Sequence, residues 1–60
     1  MKNEPPKFYT VAQVAGMLDV STRSVRRWIE QNRLIAHHFG AVVRIAETDL
    51  KAFIAEHRQA

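Results

Sequence analysis

Three closely spaced arginines follow a serine and a threonine near the middle of the chain. Arg23, Arg26 and Arg27 lie within five positions, directly after Ser21 and Thr22. The planar fork of a guanidinium donates two parallel hydrogen bonds, which suits the oxygens of a phosphate or the acceptor edge of guanine. The ordinary alternative for a run of charges is a solvated helix face. Composition alone supports these two interpretations about equally.

The positive charge is concentrated in the middle third of the sequence. The chain has 60 residues and a formal net charge of +3. Residues 23–44 carry five arginines against the single acid Glu30, whereas the charges of residues 1–22 cancel and residues 45–60 have a slight excess of acid. Arg33 and Arg44 therefore join the candidates for anion binding. For Arg33, compensation of a helix C-terminal dipole is an equally good explanation.

Other kinds of chemistry have little support. There is no cysteine, so neither a disulfide nor a thiolate zinc site is expected. His37 and His38 are neighbours on a predicted strand and point to opposite faces, so they cannot chelate one ion together. We expect one to face solvent or the anionic partner and the other to pack. A chain this short has little room for a catalytic cleft. We predict no enzyme activity, no metal, no cofactor and no small-molecule substrate.

The sequence contains no membrane or export signal. No apolar run approaches the roughly 20 residues that span a bilayer. The stretch Met1–Lys7 lacks the apolar core of a signal peptide. A cytoplasmic location without membrane contact is the default expectation. Residues 1–8 are interpreted as a flexible leader, residues 9–57 as the domain and residues 58–60 as a frayed tail.

The first helix has a clear start. Thr10 and Gln13 form a capping box, in which each side chain satisfies a backbone N–H group at the helix N-terminus. Apolar residues then recur with helical spacing, which predicts a helix over Val11–Leu18. Gly16 lies inside it at a cost in helix propensity, and a second helix is expected to approach closely there.

A second helix is predicted after a short turn. Asp19 suits the tight turn, and Ser21 is a good N-cap for a helix from Thr22 to about Gln31. Asn32 is expected to end it in the left-handed conformation. The buried stripe is formed by Val25, Trp28 and Ile29. At 100° per residue, Arg23 and Arg27 fall almost opposite this stripe and Arg26 lies on its flank.

The pattern then changes to short apolar segments. The segments Leu34–Phe39 and Val42–Ile45 are separated by Gly40–Ala41 and predict a β-hairpin. Acids at Glu47 and Asp49 mark the start of a last helix. Its buried face is predicted to consist of Leu50, Phe53 and Ile54. Core packing is also the preferred interpretation for Trp28, Phe39 and Phe53.

Together these elements predict a helix-turn-helix followed by a hairpin wing. The fold class is mainly α with a small β-hairpin, a winged helix-turn-helix. The major groove of DNA is about 12 Å wide and admits one α-helix, whose N-terminal residues reach the base edges. The amides at the start of the second helix also favour a phosphate. The candidate DNA contacts are Ser21, Thr22, Arg23, Ser24, Arg26, Arg27, Arg33 and Arg44.

The order of these motifs also resembles a known family. The segments Tyr9–Ala15, Leu18–Ser21 and Val25–Ile29, with Gly40, Val43–Ile45 and Asp49–Leu50 downstream, are similar to the excisionase-type, MerR-like winged helix-turn-helix domains. The resemblance implies that the second helix and the wing contact double-stranded DNA. Such proteins are typically excisionases that direct DNA recombination, or small regulators of transcription. It also implies partners on DNA: further copies of the chain, a recombinase or the transcription machinery.

Two departures from that family keep an alternative open. The family often has basic residues after the wing glycine, whereas this chain has Ala41 and Val42. MerR-type regulators carry a long dimerisation helix after the domain, so an end at Ala60 favours an excisionase-like or single-domain binder unless the chain is a fragment. The alternative is a protein-interaction adaptor that uses the same fold.

Overall fold

Three short helices and a three-stranded antiparallel sheet make up the computed structural model, which describes residues 7–58. The fold class is the predicted one. In chain order the elements are β1 (Phe8–Tyr9), α1 (Val11–Leu18), α2 (Thr22–Glu30), β2 (His37–Phe39), β3 (Val42–Ala46) and α3 (Glu47–Glu56).

Helix α1 has the predicted bounds because its caps are encoded locally. Thr10 Oγ1 accepts a hydrogen bond from the Gln13 amide at 3.0 Å, and Gln13 Oε1 accepts from the Thr10 amide at 2.9 Å. The helix ends where Asp19 turns to a left-handed φ of 58°. The expected close approach of a helix at Gly16 is wrong. Gly16 is exposed, and a Cβ atom there would meet nothing within 4 Å.

Helix α2 follows a three-residue connection. Ser21 caps it, with its Oγ accepting from the Ser24 amide at 3.1 Å. The helix ends at Glu30, one residue before the predicted end, and Asn32 has the predicted left-handed conformation with φ of 59°. The amides of Arg33 and Leu34 then both donate to the carbonyl of Trp28, at 2.9 and 3.2 Å.

The hairpin β2–β3 forms the wing, and its first strand is shorter than predicted. Strand β2 begins only at His37, because the backbone at Leu34 still bonds to the end of α2 and the Leu34 side chain enters the core. The turn has Gly40 at a φ of 65°, in the first central position where hairpin turns of type II′ place glycine. Facing pairs run from His37 and Arg44 to Phe39 and Val42.

Strand β1 was not predicted. Phe8 and Tyr9 pair with Ala46 and Ile45, so β3 becomes the central strand in the order β1-β3-β2. The Lys7 carbonyl accepts from the Glu47 amide at 2.9 Å. Phe8, expected in the leader, is a residue of the sheet, and Lys7 joins it through this backbone bond with its side chain exposed. The other leader residues, 1–6, and residues 59–60 of the tail lie outside the described residues.

One apolar cluster joins the helices to the inner face of the sheet. Phe53 is buried as predicted, and the ring of Trp28, which is half-buried, lies 5.0 Å from it. The predictions for Phe39 and Ile54 are wrong: these side chains are 55% and 45% exposed. Phe39 is on the outer face of the wing, and α3 covers the core with Leu50 and Phe53 instead. The buried residues are Val14, Ala15, Val25, Leu34, Ile45, Leu50 and Phe53.

Candidate nucleic-acid interface

Helix α2 presents its arginines on the side opposite the core. Val25 is completely buried, whereas Arg23, Arg26 and Arg27 are exposed. This separation follows from the 3.6-residue period, which puts Val25 and Ile29 on one side of the helix. The arginines line one open depression with Thr22 and Glu30. We call Thr22, Arg23, Arg26 and Arg27 the arginine face.

The positive charge of the arginine face is not paired with acids of the described chain. Within residues 7–58 the one contact below 4.0 Å between a basic side chain and a carboxylate joins His37 Nε2 on β2 to Asp49 Oδ2 on α3, at 3.2 Å, and involves no residue of α2. Glu30 borders the depression, but its carboxylate is not within that distance of a guanidinium. The three guanidinium groups therefore keep their full capacity to bind an anion.

The two serines are occupied with the start of the helix. Besides capping the Ser24 amide, Ser21 Oγ lies 3.2 Å from Ser24 Oγ. Ser24 is half-buried and Ser21 is exposed. Their observed contacts are those of a helix N-terminus, and they position Thr22 and Arg23 in the first turn. The structure thus brings Ser21, Thr22, Arg23 and Ser24 together at the start of α2, with Arg26 and Arg27 further along the same helix.

A second groove separates α2 from the wing, and Arg26 borders both depressions. Arg44 lies on the wing side of this groove, half-buried, with Nη1 donating to the Val43 carbonyl at 2.8 Å. That bond uses one of the five N–H groups of the guanidinium. We call this space the wing groove; it is lined by Thr10, Val11, Ala12, Arg26, Ile29, Glu30, His38, Ala41, Val42, Val43 and Arg44.

Arg33 does not join the other candidates. It lines a separate depression with Asn32, Ile35, Glu56 and His57, near the end of α3. Compensation of the α2 dipole also remains an explanation for Arg33, because it lies three residues after the end of the helix. Of the eight candidate residues, Arg33 is the one that the fold places apart.

The two histidines separate to opposite faces of the wing. His37 contacts Phe8 on the outer face, with ring centroids 5.5 Å apart, whereas His38 lines the wing groove with Arg26. Sequence reasoning predicted the alternation but could not assign the faces, because strand period alone does not show which side is covered. Both side chains are exposed. Over residues 7–58 no group of three potential metal ligands is found.

These features define a class of domain. Two helices joined by a three-residue turn, with exposed arginines on the second helix and a hairpin after it, constitute a winged helix-turn-helix domain. The family model for the helix-turn-helix domain matches residues 8–58. The chain belongs to this family of excisionase-like and MerR-like DNA-binding domains.

Searches of curated proteins and of solved structures found no match to the chain. In the part of the chain that the structure describes, no helix has the length and apolar character needed to cross a membrane.

Proposed function

We propose that this chain binds double-stranded DNA sequence-specifically, with α2 in the major groove and the wing beside it. The observation that carries the proposal is the arginine face, three exposed guanidinium groups opposite the buried Val25. A helix in the major groove turns its exposed N-terminal half towards the base edges. Thr22 and Arg23 lie in that half of α2, and Arg26 and Arg27 continue the exposed arginine face towards the last turn.

The two depressions separate the arginines into a set that is placed to contact bases and a set that is placed to contact the DNA backbone. Arg23 and Arg27 border the α2 depression and not the wing groove, a position that suits bidentate contacts to guanine. Arg26 and Arg44 both line the wing groove, where a DNA backbone can pass between helix and wing. Phosphate contacts position a protein on the duplex, and base contacts specify the sequence. We therefore assign base readout to Arg23 and Arg27, and contact with the DNA backbone to Arg26 and Arg44.

Two cellular roles follow from such binding, an excisionase-like architectural role in recombination and a small regulator of transcription. The family contains both kinds of domain, and each role needs the same α2 contacts. Electrophoretic phasing separates them, because an architectural factor bends its site strongly. Occupancy of a promoter operator, with a change in transcript level, supports the regulatory role.

The direct test is selection from a library of random duplexes, followed by salt titration of the selected site. With about four to six phosphates contacted, log K is expected to fall against log salt with a slope near −4 to −5. The double variant Arg23→Ala with Arg27→Ala should lose the selected preference. Arg33→Ala is the control on a different surface, and it removes one positive charge where the double variant removes two. Retention of the preference in the double variant contradicts the proposal.

A second candidate is the protein-interaction adaptor, and one observation favours it. The wing exposes Phe39 to 55% and Val42 to 44%, and apolar side chains are common at protein contacts. An adaptor predicts a nearly flat salt response and binding that is unaffected by the arginine variants. The same titration therefore decides between the two candidates.

A further inference from the structure

The tip of the wing carries an apolar pair where a phosphate contact would need a cation. Phe39 and Val42 face each other across the turn and are both largely exposed. The turn residues between them, Gly40 and Ala41, are uncharged. Directly facing residues of an antiparallel pair share one face of the sheet, so these two side chains form one apolar surface.

Phe39 is held from behind by other rings. The ring of Phe8 meets it edge-on, with centroids 5.9 Å apart and planes at 88°. The ring of His37 lies parallel to it at 6.3 Å, and His37 in turn contacts Asp49. A side chain supported in this way loses less rotamer freedom on binding than a free one. The apolar pair is therefore preformed.

The wing tip is continuous with the surface proposed to bind DNA. Val42, which shares the face of Phe39, also lines the wing groove at the turn, together with Ala41 and Arg26, and Arg26 belongs to the arginine face. With α2 in the major groove and a backbone in the wing groove, the next feature of the duplex along this path is the adjacent minor groove. That groove is about 6 Å wide and admits a narrow two-residue hairpin turn more readily than a helix.

We propose that Phe39 and Val42 form an apolar wedge, which enters the minor groove beside the α2 site and opens one base step. This rests on the proposed DNA binding and adds a residue-level source of bending to it. Apolar side chains placed between base steps unstack them and kink the duplex towards the major groove. Pyrimidine–purine steps unstack most easily, so the wedge selects a TA or CA step at the position under the wing.

The experiment compares wedge variants on the duplex that the unaltered protein selects from a random library. In the double variant Phe39→Ala with Val42→Ala, we expect binding weaker on the order of tenfold, because contacts between an aromatic ring and bases are lost. The bend measured by circular permutation should largely disappear. In a repeated selection, the preference for a pyrimidine–purine step should be lost while the α2 half of the site is retained.

Two further variants keep the test independent of folding. Met17→Ala removes a side chain of equal exposure, 55%, from α1 and should change neither affinity nor bend. Val42→Lys leaves Phe39 on its supporting rings but replaces the wedge with a phosphate-binding group. We expect it to steepen the salt slope by about one unit while reducing the bend. Thermal unfolding monitored by circular dichroism checks that each variant is folded.

The outcomes are distinct. Unchanged bending and step preference in folded wedge variants overturn the wedge but leave the DNA-binding proposal intact. Loss of cooperative binding on a two-site duplex, with affinity and bend on a single site unchanged, identifies the pair as a protein contact and also overturns the wedge. Failure of the unaltered protein to select any duplex removes the DNA-binding proposal itself.

Discussion

At the scale of single residues, the arginines differ in surroundings although they share a charge. Arg27 is exposed on α2 and borders only the α2 depression, whereas Arg44 is half-buried and bonded to the Val43 carbonyl. A guanidinium that reads a base discriminates among sequences, and one that binds a phosphate does not. The position of each arginine relative to α2, more than its charge, therefore determines whether it is proposed to read a base or to bind a phosphate.

This difference leads to a prediction for two single variants. Arg27→Ala should lower affinity for the selected site by roughly 1–3 kcal/mol and relax preference at one base pair. Arg44→Ala should weaken all duplexes alike and reduce the salt slope by about one. Binding constants for the selected site and for single-base variants of it, each at several salt concentrations, check both statements. Uniform loss in both variants would refute the assignment of base readout to α2.

Tyr9 supplies a test of stability at the same scale. Its hydroxyl donates to Glu47 Oε2 at 3.1 Å, which joins β1 to the start of α3. Partial burial, then the hydrogen bond and the charge of Glu47, raise the pKa of Tyr9 above its ordinary value of 10.0. A raised pKa means that the folded state favours the protonated phenol. Its contribution to stability is complete below pH 10.0 and is lost as pH rises through the folded-state pKa.

The corresponding prediction compares the protein with Tyr9→Phe. The unaltered protein should have the larger free energy of unfolding. Its excess over Tyr9→Phe should be constant from about pH 6 to 9 and should shrink above about pH 10. Urea unfolding at a series of pH values measures it. A difference that instead grows at alkaline pH would show that the phenolate is the favoured form in the folded protein.

At the scale of elements, left-handed residues set where helices and strands stop. Asp19 and Asn32 end the two helices at φ values of 58° and 59°, and Gly40 turns the wing at 65°. Aspartate and asparagine tolerate this region because short polar side chains bond locally, whereas alanine has no such compensation. For α1, α2 and β2, a left-handed residue one or two positions beyond the last residue thus sets where the element ends.

Two glycine substitutions are predicted to act in opposite directions. Gly16→Ala should stabilise the protein by about 0.5–1 kcal/mol, since the site is helical, exposed and has room for a Cβ atom. Gly40→Ala should cost about 1–2 kcal/mol, because the turn needs a positive φ. Chemical denaturation of both variants and the unaltered protein, at equal ionic strength, measures the changes in free energy of unfolding. Two changes of the same sign would contradict the conformational argument.

The same elements show which parts of the fold a sequence can predict. Helices α1 and α2 could be bounded to within one residue because capping residues act locally. Strand β1 could not be predicted, because two residues show no periodicity and their partners lie 36 and 38 positions away. Alternation in the wing predicted opposite faces but not which face is covered, so Phe39 was assigned wrongly to the core. Arg33 was near α2 in sequence, but the chain turn after Asn32 carries it to α3.

At the scale of the molecule, every element except the exposed strand β2 contributes to one small core. Helix α1 packs on α2 and on β3, and α3 packs on β3 from the other end of the chain. A 60-residue chain buries a limited fraction of its surface, and a core of this size rarely supplies more than about 3–5 kcal/mol. The arginine face therefore depends on side chains that are remote from it. Leu34 is one of these, being 1% exposed although it belongs to no helix or strand.

The neighbours Leu34 and Ile35 allow this dependence to be measured. Leu34→Ala should cost about 2–5 kcal/mol, enough to unfold much of the protein at 25 °C, whereas Ile35→Ala, at a site 54% exposed, should cost little. Because DNA binds only the folded state, duplex at about one hundred times Kd should restore about 2.7 kcal/mol to the Leu34 variant. Thermal unfolding with the selected duplex and with a duplex of unrelated sequence tests this linkage. Equal stability of the two alanine variants would show that Leu34 does not connect α2 to the core. A Leu34 variant that the selected duplex refolds and the unrelated duplex does not would show that the stabilisation comes from specific binding to the folded state.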